Sequence, residues 1–140
     1  METLTLLSPD EIRELSQRWF EEAWNERRDD IFGLVDPECL GHHEGRETKG
    51  SGDVKAMRDG MLAMIPDLKV AIEAVLVEGQ ESVVRWRFNG MAKDADGNPS
   101  LPVEFHGMTW LKFYDGLIVE GWDRWNQAGF VQQLTAALSA

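Results

Sequence analysis

The sequence predicts an α+β fold in which helices come first and a meandering antiparallel sheet follows. Three observations support this. Apolar residues recur at helical spacing through the first half and at every second position from Leu68 onward. The strand-like runs are joined by short Gly- and Asp-containing turns, not by crossover helices, which favours antiparallel pairing. The 140 residues, 43% of them hydrophobic, suffice for one domain (1–140) with a core that needs no staples.

Taken in order, Ser8-Pro9-Asp10-Glu11 carries a helix start. Ser8 can cap, Pro9 suits the first helical position, and Glu11 completes a capping box. Ile12, Leu15, Trp19, Phe20, Ala23 and Trp24 then form one apolar stripe on a helix reaching about Glu26. Asp29 or Asp30 opens a short second helix with Ile31, Leu34 and Val35, which Pro37 ends. Cys39 to Glu44 reads as a short strand and Gly45 to Gly52 as a polar loop. Ser51 or Asp53 opens a third helix bearing Val54, Met57, Met61, Met64 and Ile65, closed by Pro66-Asp67.

Leu68, Val70, Ile72, Val75 and Val77 form a strand whose spacing slips once, as at a bulge. Gly79-Gln80 turns into a second strand with Val84, Trp86 and Phe88 on one face and Arg85, Arg87 and Asn89 on the other. Lys93 to Pro102 reads as a loop. Val103 to Phe113 and Leu117 to Trp125 are long strands joined at Tyr114-Asp115-Gly116, and a last amphipathic helix follows near Ala128 to Leu138. A strongly bent sheet wrapped on the N-terminal helices makes a cone with an apolar mouth, where a small ligand can sit.

Charge limits the partners. Fourteen Lys and Arg against 25 Asp and Glu give a net charge of -11. Nucleic acids and anionic membrane surfaces repel such a chain. No apolar run approaches the roughly 18 residues that span a bilayer. The segment 1–7 lacks the basic stretch of a signal peptide, so a cytoplasmic location is expected. The one cysteine, Cys39, permits no internal disulfide and lacks a positioned base for nucleophilic work.

Five segments resemble a known family. They are Trp19-Phe20-Glu21-Glu22-Ala23-Trp24-Asn25, Ile65-Pro66-Asp67-Leu68, Val83-Val84-Arg85-Trp86, Val103-Glu104-Phe105-His106-Gly107, and Asp115 to Asp123. In this order and spacing they resemble the SnoaL-like polyketide cyclases, or ester cyclase-like group, of the nuclear transport factor 2-like superfamily. The resemblance implies the cone fold. It also implies a cofactor-independent reaction in which the aspartate matching Asp123 is the acid/base. That residue would remove a proton beside a carbonyl, the enolate would attack another carbonyl of the same substrate, and the proton would return to the new alkoxide. The implied ligand is a small apolar or carbonyl-bearing metabolite. His106 resembles a histidine that some cyclases place beside their aspartate.

The residues themselves give a parallel reading. A three-residue turn with Gly116 as its bulge pairs Gly107 with Asp123. Phe105, Gly107, Thr109, Leu111, Val119, Gly121, Asp123 and Trp125 then share one face, and Met108, Trp110, Ile118 and Trp122 the other. The first face is apolar apart from Thr109 and Asp123, as an inner face should be. A carboxylate desolvated among aromatic rings is drawn toward proton exchange near neutrality. In the same register His106 points away from Asp123 unless a bulge intervenes. Trp24, Trp86, Phe105, Thr109 and Trp125 are expected in the pocket wall.

One of His42 and His43 is expected at the cavity mouth, and His42 is taken as the ligand-binding one. Adjacent strand residues face opposite ways, so a shared metal is not expected. Asn25 is expected either to orient ligand or to cap its helix, capping being the favoured reading. The alternatives are a non-catalytic small-molecule-binding module and an epoxide hydrolase-like site, which would need an Asp-Arg-Asp set drawing on Arg85 or Arg87. The apolar outer face, with Met108, Trp110, Ile118 and Trp122, predicts a homodimer.

Overall fold

The structure, a computed structural model, describes residues 3–139; Met1 and Glu2 of the segment read above, and Ala140, lie outside the described residues. Helix α1 spans Pro9–Phe20 and begins on the expected capping box, with Glu11 N–H donating to Ser8 Oγ at 3.1 Å and Ser8 N–H to Glu11 Oε1 at 2.9 Å. Its stripe buries Ile12, Trp19 and Phe20. The helix does not run on unchanged to Glu26: Glu21–Asn25 winds into a π turn, a device that swings side chains off the regular helical stripe. Here it aims Trp24 at Phe88, ring centroids 4.9 Å apart.

Asn25, expected as a cap, instead pins this turn to the sheet. Its side-chain amide donates to Val70 O at 3.0 Å and accepts from Val70 N–H at 2.8 Å, as a neighbouring strand would. A 3₁₀ turn follows at Asp30–Leu34. Strand β1 (Val35–His43) continues through Pro37, whose missing N–H falls where the pairing with β6 is irregular. A short strand, β2 (Arg46–Lys49), stands where a loop was expected, and α2 (Gly50–Met64) follows it directly. Strands β3 (Lys69–Glu78), β4 (Glu81–Lys93), β5 (Pro99–Tyr114) and β6 (Leu117–Trp125) and helix α3 (Gln127–Leu138) complete the described chain.

The six strands form one sheet in the order β2-β1-β6-β5-β4-β3. It is mixed: β1 runs parallel to β6, and the other pairs are antiparallel. The wholly antiparallel expectation fails at that one junction because no tight turn links β1 to β6 and so none dictates their relative direction. The expected bulge in β3 falls between Ile72 and Ala74. Bulges of this kind bend the sheet, which curls over α1 and the π turn into an open cone. α2 closes over β1 and β2, and α3 packs on β5.

The β5–β6 turn corrects the expected register. Asp115 (φ 51°) and Gly116 (φ 81°) both adopt left-handed backbone, so the turn has two residues and not three. A bulge between Lys112 and Phe113 then sets Thr109 opposite Asp123 and Gly107 opposite Trp125. The shift is two residues, so the residues named from Phe105 to Leu111 and from Gly121 to Trp125 keep their inner face. At the bulge Ile118 replaces Val119 as the inward residue; it is 3% exposed, which removes it from the outer face.

Candidate active site

Inside the cone lies a cavity of about 150 Å³. A void of that size holds one six-membered ring. Its walls are aromatic: Phe88 and Phe105 stack at 5.2 Å, Phe105 meets Trp125 at 4.9 Å, and Trp86 meets Phe88 edge-on at 5.0 Å. Gly107 makes the closure possible. A Cβ there would sit 2.6 Å from Trp86 Cη2 and 2.6 Å from Trp125 Cβ, and 2.7 Å from Arg124 O. Trp24, Trp86, Phe105, Thr109, Asp123 and Trp125 all line the cavity.

One corner of the cavity is polar. Trp86 Nε1–H donates to Thr109 Oγ1 at 2.9 Å, and Thr109 Oγ1 donates to Asp123 Oδ1 at 2.5 Å. The other carboxylate oxygen, Oδ2, lies 2.7 Å from His43 Nδ1, and His43 Nε2 lies 3.1 Å from Thr48 Oγ1. The direction of half this chain is fixed. An indole N–H only donates, so the Thr109 hydroxyl spends its lone pair on Trp86 and its proton on Asp123. Between Asp123 and His43 one proton is shared. Either Nδ1–H donates to a carboxylate, or a protonated Oδ2 donates to Nδ1, and the Thr48 hydroxyl can turn to serve either tautomer. The side chains of Asp123 and His43 are 19% and 9% exposed, so the pair is largely shielded yet reachable from the cavity.

Two expectations for histidine change. His43, not His42, faces inward: strand alternation puts Gly41 and His43 on the cavity side and His42 outside. His42 stacks on Trp122 at 5.4 Å and bonds Glu47 and Glu120. His106 stands on the outer face, 60% exposed, bonded to Glu104 at 3.0 Å. No bulge separates it from Asp123, because the register runs unbroken from Gly107 to Lys112. Arg85, 56% exposed, also lies outside, on the same face as Arg87, so neither can complete an Asp-Arg-Asp set with Asp123. Asn126 does not reach Asp123; it caps α3 by accepting from Gly129 N–H at 3.0 Å.

Thr48 and Arg46 are cavity residues that the sequence reading missed, since they sit on β2, taken for a loop. The sequence signal is faint: Glu44-Gly45 suits a two-residue turn, but Arg46-Glu47-Thr48-Lys49 is polar throughout and shows no apolar alternation. Gly41 adds a steric condition. A Cβ there would fall 2.2 Å from Thr48 Oγ1 and 2.8 Å from His43 Nε2, so glycine is what admits the His43–Thr48 bond. Cys39 also lines the cavity. Burial pushes its thiol up to about 11, helped by Asp36 and Glu120, so it is a neutral wall atom at physiological pH. Among the described residues, no three His, Cys, Asp or Glu side chains gather in metal-ligating geometry, and no helix is long and apolar enough to cross a membrane.

A conical α+β sheet around a one-acid apolar cavity defines the class, and solved structures share that fold. AclR from Streptomyces galilaeus, provisionally called a hydroxylase, aligns with a TM-score of 0.78 at 23% identity, over 92% of this chain and 98% of its own. A provisionally named SnoaL-like polyketide cyclase from Jannaschia sp. CCS1 aligns with a TM-score of 0.79 at 22% identity, over 93% and 96%. TerC, crystallised with polyporic acid, aligns with a TM-score of 0.73 at 14% identity, over 91% and 99%. At these identities the likeness establishes the fold alone. No curated protein matches the chain. The SnoaL-like polyketide cyclase profile matches residues 14–134, and the chain belongs to that family.

Proposed function

We propose that the chain takes a small carbonyl-bearing metabolite into this cavity and that Asp123 removes a proton from carbon beside the carbonyl. The enolate so formed attacks a second carbonyl of the same molecule, an aldol-type ring closure, and the proton goes back to the new alkoxide. The observation that carries this reading is the placement of Asp123: a largely shielded acid at the one polar corner of an aromatic chamber, aimed by Thr109 and coupled to His43. His43 is a positioning residue in this scheme. It holds Oδ2 in place and accepts or returns the proton that the pair shares. Membership of a cyclase family supports the reaction class.

A second reading has its own observation. Both oxygens of Asp123 are already hydrogen-bonded, as suits a fixed acid in a pocket that binds without turnover. One experiment separates the two. Native mass spectrometry of the purified protein identifies a retained ligand, and NMR in deuterated water then follows exchange at the carbon beside its carbonyl. The enzyme reading expects exchange accelerated by the wild type and slowed about 10²–10⁴-fold by Asp123→Asn. Wild-type exchange by Asp123→Asn removes Asp123 as the base. Binding with no accelerated exchange leaves the module.

We also propose a homodimer built on the outer sheet face. A row of side chains crosses that face strand by strand, from Leu76 through Val83 and Trp110 to Trp122. Met108 and Trp110 are about half exposed, at 52% and 49%, and Leu76 is 70% exposed. Apolar area of this kind gains when covered.

A further inference from the structure

Arg46 is the one permanent cation among the cavity-lining residues, and Asp123 the one carboxylate. The two have different surroundings. Asp123 is bonded through both oxygens, whereas no hydrogen bond or ion pair with any described residue reaches the Arg46 guanidinium. Arg18, Arg28, Arg58 and Arg85 each hold a carboxylate, whereas the Arg46 guanidinium, on the cavity side of its strand, holds none among the described residues.

The fold puts Arg46 at the mouth for a definite reason. In β2, Thr48 is 3% exposed on the inner side, and Arg46, two residues away, shares that side. Across the β1–β2 turn it is the direct pair of His43. Gly45, with φ 78°, allows this tight turn. The same hairpin therefore sets the histidine that holds Asp123 deep in the cavity and a guanidinium at the rim. The chamber holds one ring, so any further part of a ligand must leave past the rim. A guanidinium offers paired N–H donors in a fork that matches a carboxylate.

We infer that the occupant is a single-ring carbonyl compound bearing a carboxylate, its ring and enolisable carbonyl inside with Asp123 and its carboxylate held by Arg46 at the mouth. This rests on the reading of the cavity given above and narrows it to an anionic substrate class. The anion also orients the ligand. With the carboxylate tied at the rim, the opposite end of the ring points toward the Asp123 corner, and the reverse pose would bring two negative groups together.

Isothermal titration with para-acetylbenzoate and its methyl ester tests this. The two share a ring and a methyl ketone and differ in one charge. The wild type should bind the acid about tenfold more tightly than the ester, as one charge-assisted pair predicts. Arg46→Gln should erase that preference while leaving ester binding intact, Arg46→Lys should keep part of it, and added salt should weaken only the acid. Equal binding of acid and ester by the wild type, or a preference that survives Arg46→Gln, overturns the inference and leaves the cavity reading untouched. Failure of both probes to bind overturns the two together. The circular dichroism spectrum and thermal midpoint of Arg46→Gln, an exposed position, check that the variant is folded.

Discussion

A methyl group at position 41 decides whether His43 can reach Thr48. The substitution Gly41→Ala drives a Cβ to 2.2 Å from Thr48 Oγ1, inside a region where Thr48 is 3% exposed and cannot swing away. Overpacking of this size costs about 1–3 kcal/mol. Gly41→Ala should therefore lower the unfolding free energy by that amount, read as a fall in the urea midpoint at unchanged slope. In a Thr48→Ala background, where the obstructing oxygen is gone, the same change should cost far less. The four-member cycle measures the coupling, and additive costs would show that the two positions do not meet. His43 and Thr48 illustrate what residue-level reading can supply. Alternation said that one of the two adjacent histidines must face in. It left open which, because that depends on where β1 begins its pairing with β6. The inward aspartate followed from an apolar face interrupted at two positions. Its bond to Thr109 did not follow, because a turn one residue shorter than expected and a bulge near it together move Asp123 from opposite Gly107 to opposite Thr109.

At the scale of elements, three strands are tied on the outer face by His42. Its Nδ1 bonds Glu47 of β2 at 3.0 Å and its Nε2 bonds Glu120 of β6 at 2.6 Å. Carboxylates only accept, so both nitrogens must donate, and the ring is an imidazolium when both bonds are made. Glu47 and then Glu120 accordingly raise the His42 pKa above 6.5. A folded-state value above the unfolded one gives stability that is fully present below about pH 6.5 and lost as pH rises through the folded value. The difference in urea midpoint between wild type and His42→Gln should thus be largest near pH 5.5 to 6 and shrink as pH rises above about 6.5. A difference that stays flat, or grows with pH, would contradict the ion-pair clasp. Most elements were legible in the sequence because period and capping are local. Ser8 and Glu11 announced α1, and Asp-Gly announced the β5–β6 turn. The β2 strand and the parallel β1–β6 pair were not legible. The first is four residues long with a polar surface, and the second is decided by packing between segments far apart in the chain. The π turn was hidden for a related reason: its value lies in the tertiary bonds Asn25 makes to Val70, not in any local preference.

For the whole molecule, the outer face and the inner cavity make separate demands. The row ending in Trp110 and Trp122, their rings 6.2 Å apart, is apolar where a monomer would meet water. Trp110 Nε1–H already donates to Glu81 at 2.8 Å, so what a partner would cover is the indole face. Sedimentation equilibrium at micromolar concentration should give the mass of two chains, and Trp110→Glu should return it to one without loss of the folded far-ultraviolet spectrum. A wild-type monomer would refute the dimer. The cone, its single layer of helices and its mixed sheet thus leave one sheet face lining a cavity and the other apolar and uncovered.

The His43–Asp123 bond joins residues 80 positions apart, through the strand that is made last and the first strand of the sheet. On a ribosome, β1 must therefore wait, its edge toward β6 unclaimed, until Leu117–Trp125 has emerged. The acid and its histidine can meet only once β6 has been made. A release or truncation ahead of Leu117 leaves a partial sheet in which His43 has no Asp123 to meet, and an open edge for which chaperones and proteases compete.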